Sequence, residues 1–97
     1  MSKEPLFTIC IPSRDRFETA SRSIKSILGQ SFQDFEILVS DNSAQEVGKL
    51  QAWAVELGPE REKVRITETG GTLEMDENWE ACSLPARGRY VLFMADR

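Results

Sequence analysis

Polar and ionisable residues follow three apolar stretches of the sequence, and their types suit the chemistry of charged ligands. The stretch LFTICI at residues 6–11 runs into PSRDR, and FEILVS at residues 35–40 runs into DNSA. The third stretch, YVLFMA at residues 90–95, runs into Asp96. Guanidinium groups can contact phosphate oxygens, and carboxylates can hold a divalent cation such as Mg²⁺ or Mn²⁺. These residues can act together only if the fold brings the three places to one site.

The apolar stretches have the pattern of strands, and the segment after the first one has the pattern of a helix. Each stretch is apolar at nearly every position, which is typical of a strand covered on both faces. Apolar residues at spacings of three and four then predict one helical stripe: Phe17, Ala20, Ile24, Ile27 and Leu28. We expect Asp15 and Glu18 to form a capping box, and Gly29 to end this helix.

The unit of strand and helix occurs twice more along the chain. Ser43 and Glu46 have the spacing of a second capping box. The helix after them would bury a second apolar face: Val47, Leu50, Ala54 and Leu57. After a short strand, VRITE, a third helix would turn three residues inward: Met75, Trp79 and Cys82.

Strands and helices that alternate in this way indicate an α/β fold, with a mostly parallel sheet of about four strands and helices on both faces. Residues 1–97 are few enough to form a single domain. Ligands of open α/β sheets bind beyond the carboxyl ends of the strands, where PSRDR, DNSA and Asp96 would meet. A plainer interpretation stays open, because Asp15 and Ser43 could serve only as helix caps.

Composition narrows the class of protein. The formal net charge of −4 argues against a nucleic-acid partner, since counterion release needs clustered Lys and Arg. Histidine, the commonest general base, is absent, and the two cysteines have neither metal spacing nor the density of a disulfide scaffold. We interpret both cysteines as reduced core residues. No apolar run approaches the roughly 20 residues of a membrane span, and the start MSKEP is no signal peptide, so a cytoplasmic location is expected.

The first strand is not followed by a glycine-rich phosphate loop. Neither GxGxxG nor GxxxxGK[ST] occurs there, so the backbone has no glycine cradle for a dinucleotide or a triphosphate. A bound nucleotide would need positive charge from another source, and a divalent cation held by carboxylates would supply it. Asp96 is placed in the sequence for that role.

Two segments resemble family 2 glycosyltransferases, which have the GT-A fold. The first is FTICIPSRDRFETASRSIKSILGQSFQDFEILVSDNSA, similar to a family opening with Pro-Thr-x-Asn-Arg, S(I/V)LxQ and DFEIIVVDDGS. The second, ENWEACSLPARGRYVLFMAD, is similar to the family segment that leads into the metal-binding DxD motif. The resemblance covers nearly the whole chain and implies the nucleotide-binding half of a GT-A (Rossmann-like) domain.

The resemblance implies an enzyme that moves a sugar from a nucleotide-diphosphate donor, UDP-linked, to a hydroxyl of a sugar or other acceptor, with Mg²⁺ or Mn²⁺ on the pyrophosphate. By position, Pro12, Ser13 and Arg14 would line the nucleoside pocket. Asp41 corresponds to the family acid that hydrogen-bonds the base, usually uracil, and Asp96 to the first Asp of DxD. The family's catalytic base lies in a second half, so no residue here is assigned that role.

Three further residues complete the predicted nucleotide site: Arg16, Asn42 and Asn78. Arg16, like Arg14, would contact the nucleotide or its phosphates, or else only form a surface ion pair. Asn78 matches the family's helix Asn and could be structural or ligand-binding. Asn42 stands where the family often has Asp, and Arg14 where it often has an aromatic residue, which leaves the donor open. A function of another class also stays open: a noncatalytic α/β module that binds a nucleotide or a protein partner.

The sequence stops one residue after Asp96, which we interpret as a domain truncated inside its metal motif. On that interpretation the 97 residues alone would be inactive, and the full-length protein would work in the cytoplasm or at the cytosolic face of a membrane. The strand YVLFMA would lie beside the first strand as an apolar edge with unpaired backbone groups. We therefore expect self-association, most simply as a two-fold dimer.

Overall fold

A computed structural model describes residues 4–94 of the chain. Asp96, the predicted metal ligand, lies outside the described residues. The elements follow one another in this order: β1 (Phe7–Ser13), α1 (Phe17–Leu28), β2 (Phe35–Asp41), α2 (Lys49–Ala54), a 3₁₀ stretch (Val55–Lys63), β3 (Val64–Glu68), α3 (Met75–Ser83) and β4 (Tyr90–Phe93).

The four strands form one sheet in the order β3-β2-β1-β4, and every neighbouring pair is parallel. The fold class is therefore α/β, as predicted, and it is consistent with half of a GT-A domain. The chain moves outward from β1 to β2 and β3 and then crosses back to place β4 on the other side of β1. Because crossovers of this kind share one hand, the reversal places α3 on the face opposite α1 and α2.

The larger core lies between the sheet and the first two helices. Its stripe on α1 is the one that the spacing predicted: Ala20, Ile24, Ile27 and Leu28 are all buried. Burial of each large aliphatic side chain contributes roughly 1.5 to 3 kcal/mol, so this stripe holds α1 on the sheet. Phe17, at the start of α1, is half-buried and meets Trp53 of α2 edge to face at 6.4 Å.

A smaller core lies on the opposite face, under α3. Cys10, Leu38 and Cys82 pack there, and both cysteines are free thiols, as expected. Met75, predicted to point inward, is 72 % exposed: it lies on the same face of α3 as Cys82, but as the first residue of the helix it lies beyond the carboxyl ends of the strands. The prediction for Met75 was therefore wrong.

Both predicted capping boxes are also absent. Asp15 lies before α1 in a left-handed conformation, with φ 48°, and α1 has no side-chain cap from its own preceding residue, Arg16. The α-helical part of the second helix begins only at Lys49, well after Ser43. The side chains of Asp15, Ser43 and Glu46 instead bond across to the neighbouring loop, because the parallel sheet brings the two loops together. A spacing of three along the sequence does not reveal such a contact.

A buried carboxylate fixes the path of the chain between α3 and β4. Glu36, on β2, is 6 % exposed and accepts hydrogen bonds from the Thr8 hydroxyl at 2.6 Å and the Arg87 backbone N–H at 2.6 Å. The Arg65 guanidinium donates to its other oxygen at 2.8 Å. Gly88 follows directly, and a Cβ there would lie 2.4 Å from the backbone nitrogen of Thr8. This crossing admits only glycine, and it delivers the chain into β4 alongside β1.

The edge position of β4 agrees with the expectation from sequence, but its burial does not. β4 pairs with β1 along one side, and its four residues are all exposed, between 42 % and 52 %. Trp79 of α3 stacks on Phe93 at 4.8 Å, which covers part of one face. The other side of β4 is the sheet edge, so an apolar run that is typical of a buried strand faces solvent.

We predict that the 97-residue chain self-associates through β4. The Tyr90 N–H donates to the carbonyl of Leu6, just before β1, and the Met94 N–H donates to Cys10 of β1, so the alternation of a strand directs the Val91 N–H to the open side. Val91→Pro removes a donor there without removing a bond to β1, and should weaken association. Sedimentation over a concentration series checks this. A wild-type chain that stays monomeric throughout would contradict the prediction, as would a Val91→Pro chain that associates equally well.

We also predict that Glu36→Ala lowers the free energy of unfolding by about 2 kcal/mol at pH 7, below the range for fully buried pairs because Arg65 and Arg87 are partly exposed. Burial raises the pKa of Glu36, but bonds from Thr8, the Arg87 N–H and Arg65 outweigh it and hold that pKa below the ordinary 4.5.

The lowered pKa gives this effect a pH dependence of known sign. The stabilisation is fully present above about pH 4.5 and is lost as the pH falls through the lower folded-state pKa. Urea denaturation at several pH values, with the exposed Glu62→Ala as control, measures it. A difference between wild type and Glu36→Ala that does not shrink below pH 4.5 would refute the assignment.

Candidate functional site

A cleft of about 360 Å³ opens beyond the carboxyl ends of β1 and β2, with α3 as one wall. This volume lies within the range of small-molecule sites, and the place is where the order of strands reverses around β1. The cleft is lined by two loop segments and by the start of α3: Pro12, Ser13, Arg14, Arg16, Asn42, Leu73, Glu74, Met75, Asn78 and Trp79.

The cleft brings together six residues that the sequence nominated for nucleotide binding: Pro12, Ser13, Arg14, Arg16, Asn42 and Asn78. The seventh, Asp41, lies at the end of β2 but does not line the cleft, and it is 2 % exposed. The remaining lining residues come from the loop before α3 and from α3 itself, and the sequence did not nominate them. The signal in the sequence was the Gly70–Gly71 pair, since adjacent glycines are typical of a tight turn; both residues have positive φ in the structure.

Asn42 connects β2 to that turn. Its amide donates to the Leu73 carbonyl at 2.7 Å, and its oxygen accepts from the Thr69 hydroxyl at 2.6 Å and from the Leu73 N–H at 3.2 Å. Gly71 packs closely below, where a Cβ would approach the Ala44 Cβ to 2.8 Å. Asn42 therefore shapes the cleft by holding the rim formed by Leu73.

Asn78 joins α3 to the two central strands. The Ser40 hydroxyl donates to its oxygen at 2.6 Å, and its amide donates to the Ser13 carbonyl at 3.4 Å. The side chain is 5 % exposed, yet it forms part of the cleft wall. Asn78 thus has a structural role that the sequence left open beside ligand binding.

The loops after β1 and β2 are joined by hydrogen bonds of three carboxylates and one hydroxyl. We call these four residues the loop lock: Asp15, Asp41, Ser43 and Glu46. The Asp15 carboxylate accepts from the backbone N–H groups of Gln45 at 2.8 Å, Glu46 at 2.9 Å and Ala44 at 3.2 Å. In return, the Glu46 carboxylate accepts from the Phe17 N–H at 2.9 Å and so caps α1. Each loop thus supplies the acceptor for the backbone of the other.

Ser43 connects this exchange to Asp41. Its oxygen accepts from the Asp15 N–H at 2.8 Å, while its hydroxyl donates to Asp41. Burial raises the pKa of Asp41, and the nearby charges of Glu68 and Asp15 act in the same direction. The backbone N–H of Glu46, helped by that of Gln45, lowers the pKa of Asp15. The lowered pKa favours the ionised form of Asp15 inside the loop lock.

The two arginines give the cleft its positive charge. Arg14 and Arg16 are exposed and line it on either side of Asp15, which turns away into the loop lock. Guanidinium groups offer paired N–H donors that suit phosphate or carboxylate oxygens. Among residues 4–94, no three acidic or cysteine side chains lie close enough together to hold a metal ion. The described part of the cleft thus offers guanidinium donors of the kind that suit an anion.

Comparison with known proteins identifies the family. The family model described as glycosyl transferase family 2 matches residues 8–96. The chain belongs to this family. The match includes nearly all of β1, the whole of β2, the loop lock and α3.

Three curated relatives are similar to this family 2 chain over nearly all of its length. One is named as a colanic acid biosynthesis glycosyl transferase, WcaA, of Escherichia coli strain K12, 31 % identical over 102 residues. Uncharacterized proteins of Mycobacterium tuberculosis and Sinorhizobium fredii are 29 % and 28 % identical over 92 and 97 residues. The matches cover 99 %, 94 % and 99 % of this chain but 34 %, 27 % and 11 % of the respective relatives. The chain therefore spans about a third of one relative and less of the other two.

None of the helices within residues 4–94 is long and apolar enough to cross a membrane.

Proposed function

We propose that this family 2 chain binds the nucleotide-diphosphate part of a sugar donor, UDP-linked, for transfer of the sugar to an acceptor hydroxyl. One observation carries the proposal: the cleft at the carboxyl ends of β1 and β2 gathers Arg14 and Arg16 beside the strand ends. A nucleoside diphosphate has a flat base and a charged tail. The cleft offers a wall of polar and aromatic side chains for the first and two guanidinium groups for the second.

In the proposed reaction, the acceptor oxygen forms a bond to the anomeric carbon of the sugar. The bond from that carbon to the diphosphate oxygen breaks, so the leaving diphosphate gains negative charge. Arg14 and Arg16 would stabilise that charge. Positive groups that are already in place when charge develops in the transition state often contribute much of an enzyme's rate enhancement. The proton of the acceptor hydroxyl needs a base, and no described residue is assigned that role.

A divalent cation, Mg²⁺ or Mn²⁺, belongs to the proposal through Asp96 alone. When bound, the cation would offset negative charge on the diphosphate. Oxygen atoms of Asp96 and of the sugar donor would hold it. The roles proposed for Arg14 and Arg16 rest on the described cleft alone.

We expect the 97-residue chain to bind UDP more tightly than uridine, because only UDP carries the charge that the arginines would meet. Arg14→Ala should lower the affinity for UDP about tenfold and leave the affinity for uridine nearly unchanged. Arg22→Ala is the matched control, since its side chain lies on the exposed surface of α1 and pairs with Glu18. Isothermal titration calorimetry with UDP and uridine measures the six affinities of the wild type and the two variants. Equal binding of UDP and uridine by the wild type, or no binding of either, would contradict the proposed function.

Asp41 supplies base selectivity in this proposal, because a carboxylate in a partly desolvated place can accept the ring N–H of uracil. Asp41 lies under Ser43 in the structure, so a base contact requires access past that residue. We predict that Asp41→Ala reduces the preference for UDP over CDP about tenfold. Ser43→Ala, which removes the neighbour and keeps the carboxylate, should retain the preference.

Titration of the wild type and both variants with UDP and CDP tests this assignment. If wild type and Asp41→Ala bind UDP equally well, Asp41 does not read the base. If Ser43→Ala loses the preference as fully as Asp41→Ala, the effect comes from the loop lock.

A further inference from the structure

Asp15 has a backbone conformation that its residue type adopts only at a cost. Its φ of 48° makes it the one non-glycine residue with positive φ among residues 4–94. Such a conformation is uncommon outside glycine, and it persists where surrounding contacts determine it. Strain of this kind is more often found at functional sites than elsewhere.

The contacts that hold Asp15 come from the neighbouring loop. Its N–H donates to the Ser43 hydroxyl oxygen, and its carboxylate accepts three backbone N–H groups from residues 44–46. Hydrogen bonds to an ionised carboxylate are roughly twice as strong as neutral ones. Asp15 is therefore bonded on both its backbone and its side chain to the loop after β2.

This bonding has a consequence for the residues on either side. Arg14 and Arg16 are exposed and directly flank Asp15 in the chain. The turn between them is set by Asp15, and both arginines line the same cleft. The direction in which each long side chain leaves the backbone thus depends on the left-handed turn.

We infer that Asp15 is a positioning residue for anion binding: its bonds to the loop after β2 hold the turn that presents Arg14 and Arg16 together to the diphosphate. The inference rests on the proposed function. It differs from a capping role, which would stabilise α1 or α2 without affecting how the ligand's charged part is bound.

Three substitutions separate the turn from the carboxylate. Asp15→Asn keeps an acceptor oxygen and a residue type that tolerates positive φ, Asp15→Gly keeps only the conformational freedom, and Asp15→Ala keeps neither. We expect Asp15→Ala and Asp15→Gly to lose about tenfold in UDP affinity while uridine affinity changes less than about twofold. Asp15→Asn should keep a UDP-to-uridine ratio close to that of the wild type.

Calorimetry on the 97-residue chain measures these ratios, and urea denaturation records the stability of each variant. Val64→Ala, in the core on β3 away from the cleft, is the control for destabilisation alone and should leave the ratio unchanged. A double-mutant cycle supplies the decisive readout. In a chain that carries Arg14→Ala and Arg16→Ala, adding Asp15→Gly should cause no further loss of UDP affinity.

The outcomes distinguish this inference from the proposed function on which it rests. A wild-type chain with no preference for UDP over uridine overturns both. A wild-type preference that survives in Asp15→Gly overturns the inference alone, as does a further loss of UDP affinity when Asp15→Gly is added to the chain without the two arginines. If Asp15→Ala does not fold, Asp15→Asn and Asp15→Gly decide between these outcomes.

Discussion

The parallel pairing of β1 with β2, in a register that ends with Ser13 opposite Asp41, is the constraint on which the rest of the structure depends. Because both strands end at the same level, the loops that follow them leave the sheet side by side. Asp15 of one loop then reaches the backbone of the other, and Glu46 reaches back to Phe17. Two loops that would each be costly to order alone become one rigid rim, since each satisfies the other's orphan N–H groups.

The opposite end of the sheet is held together by a single buried carboxylate. Glu36 enters β2 as a carboxylate among apolar residues and is matched there by Thr8, Arg65 and the backbone of Arg87. This network holds the chain where it re-enters the sheet beside β1. One buried acid thus stabilises the entry to β4, while the acids of the loop lock shape the cleft at the other end of the same strands.

Membership in glycosyl transferase family 2 and the position of the cleft support each other. The family is one of glycosyl transferases, and the cleft lies where open α/β sheets bind ligands, with two guanidinium groups and no glycine loop. The positive groups at this cleft are side chains on either side of a strained residue rather than a helix N-terminus over a glycine cradle. Their positions therefore depend on the conformation of that turn.

The sequence by itself determined the α/β class, the stripe of α1, the reduced cysteines and the gathering of Arg14, Arg16, Asn42 and Asn78 near one another. These follow from hydrophobic periodicity and from the rule that parallel strands end at one edge, both of which are local or topological. Only the tertiary structure decided that Asp15 and Glu46 cap each other's loops, that Met75 and β4 are exposed, and that Asp41 lies below the cleft. Those outcomes depend on contacts between residues some 30 positions apart, and on which face a neighbouring element covers. The capping-box spacing of three residues is the same in the sequence whether the side chains bond within their own helix or to the neighbouring loop.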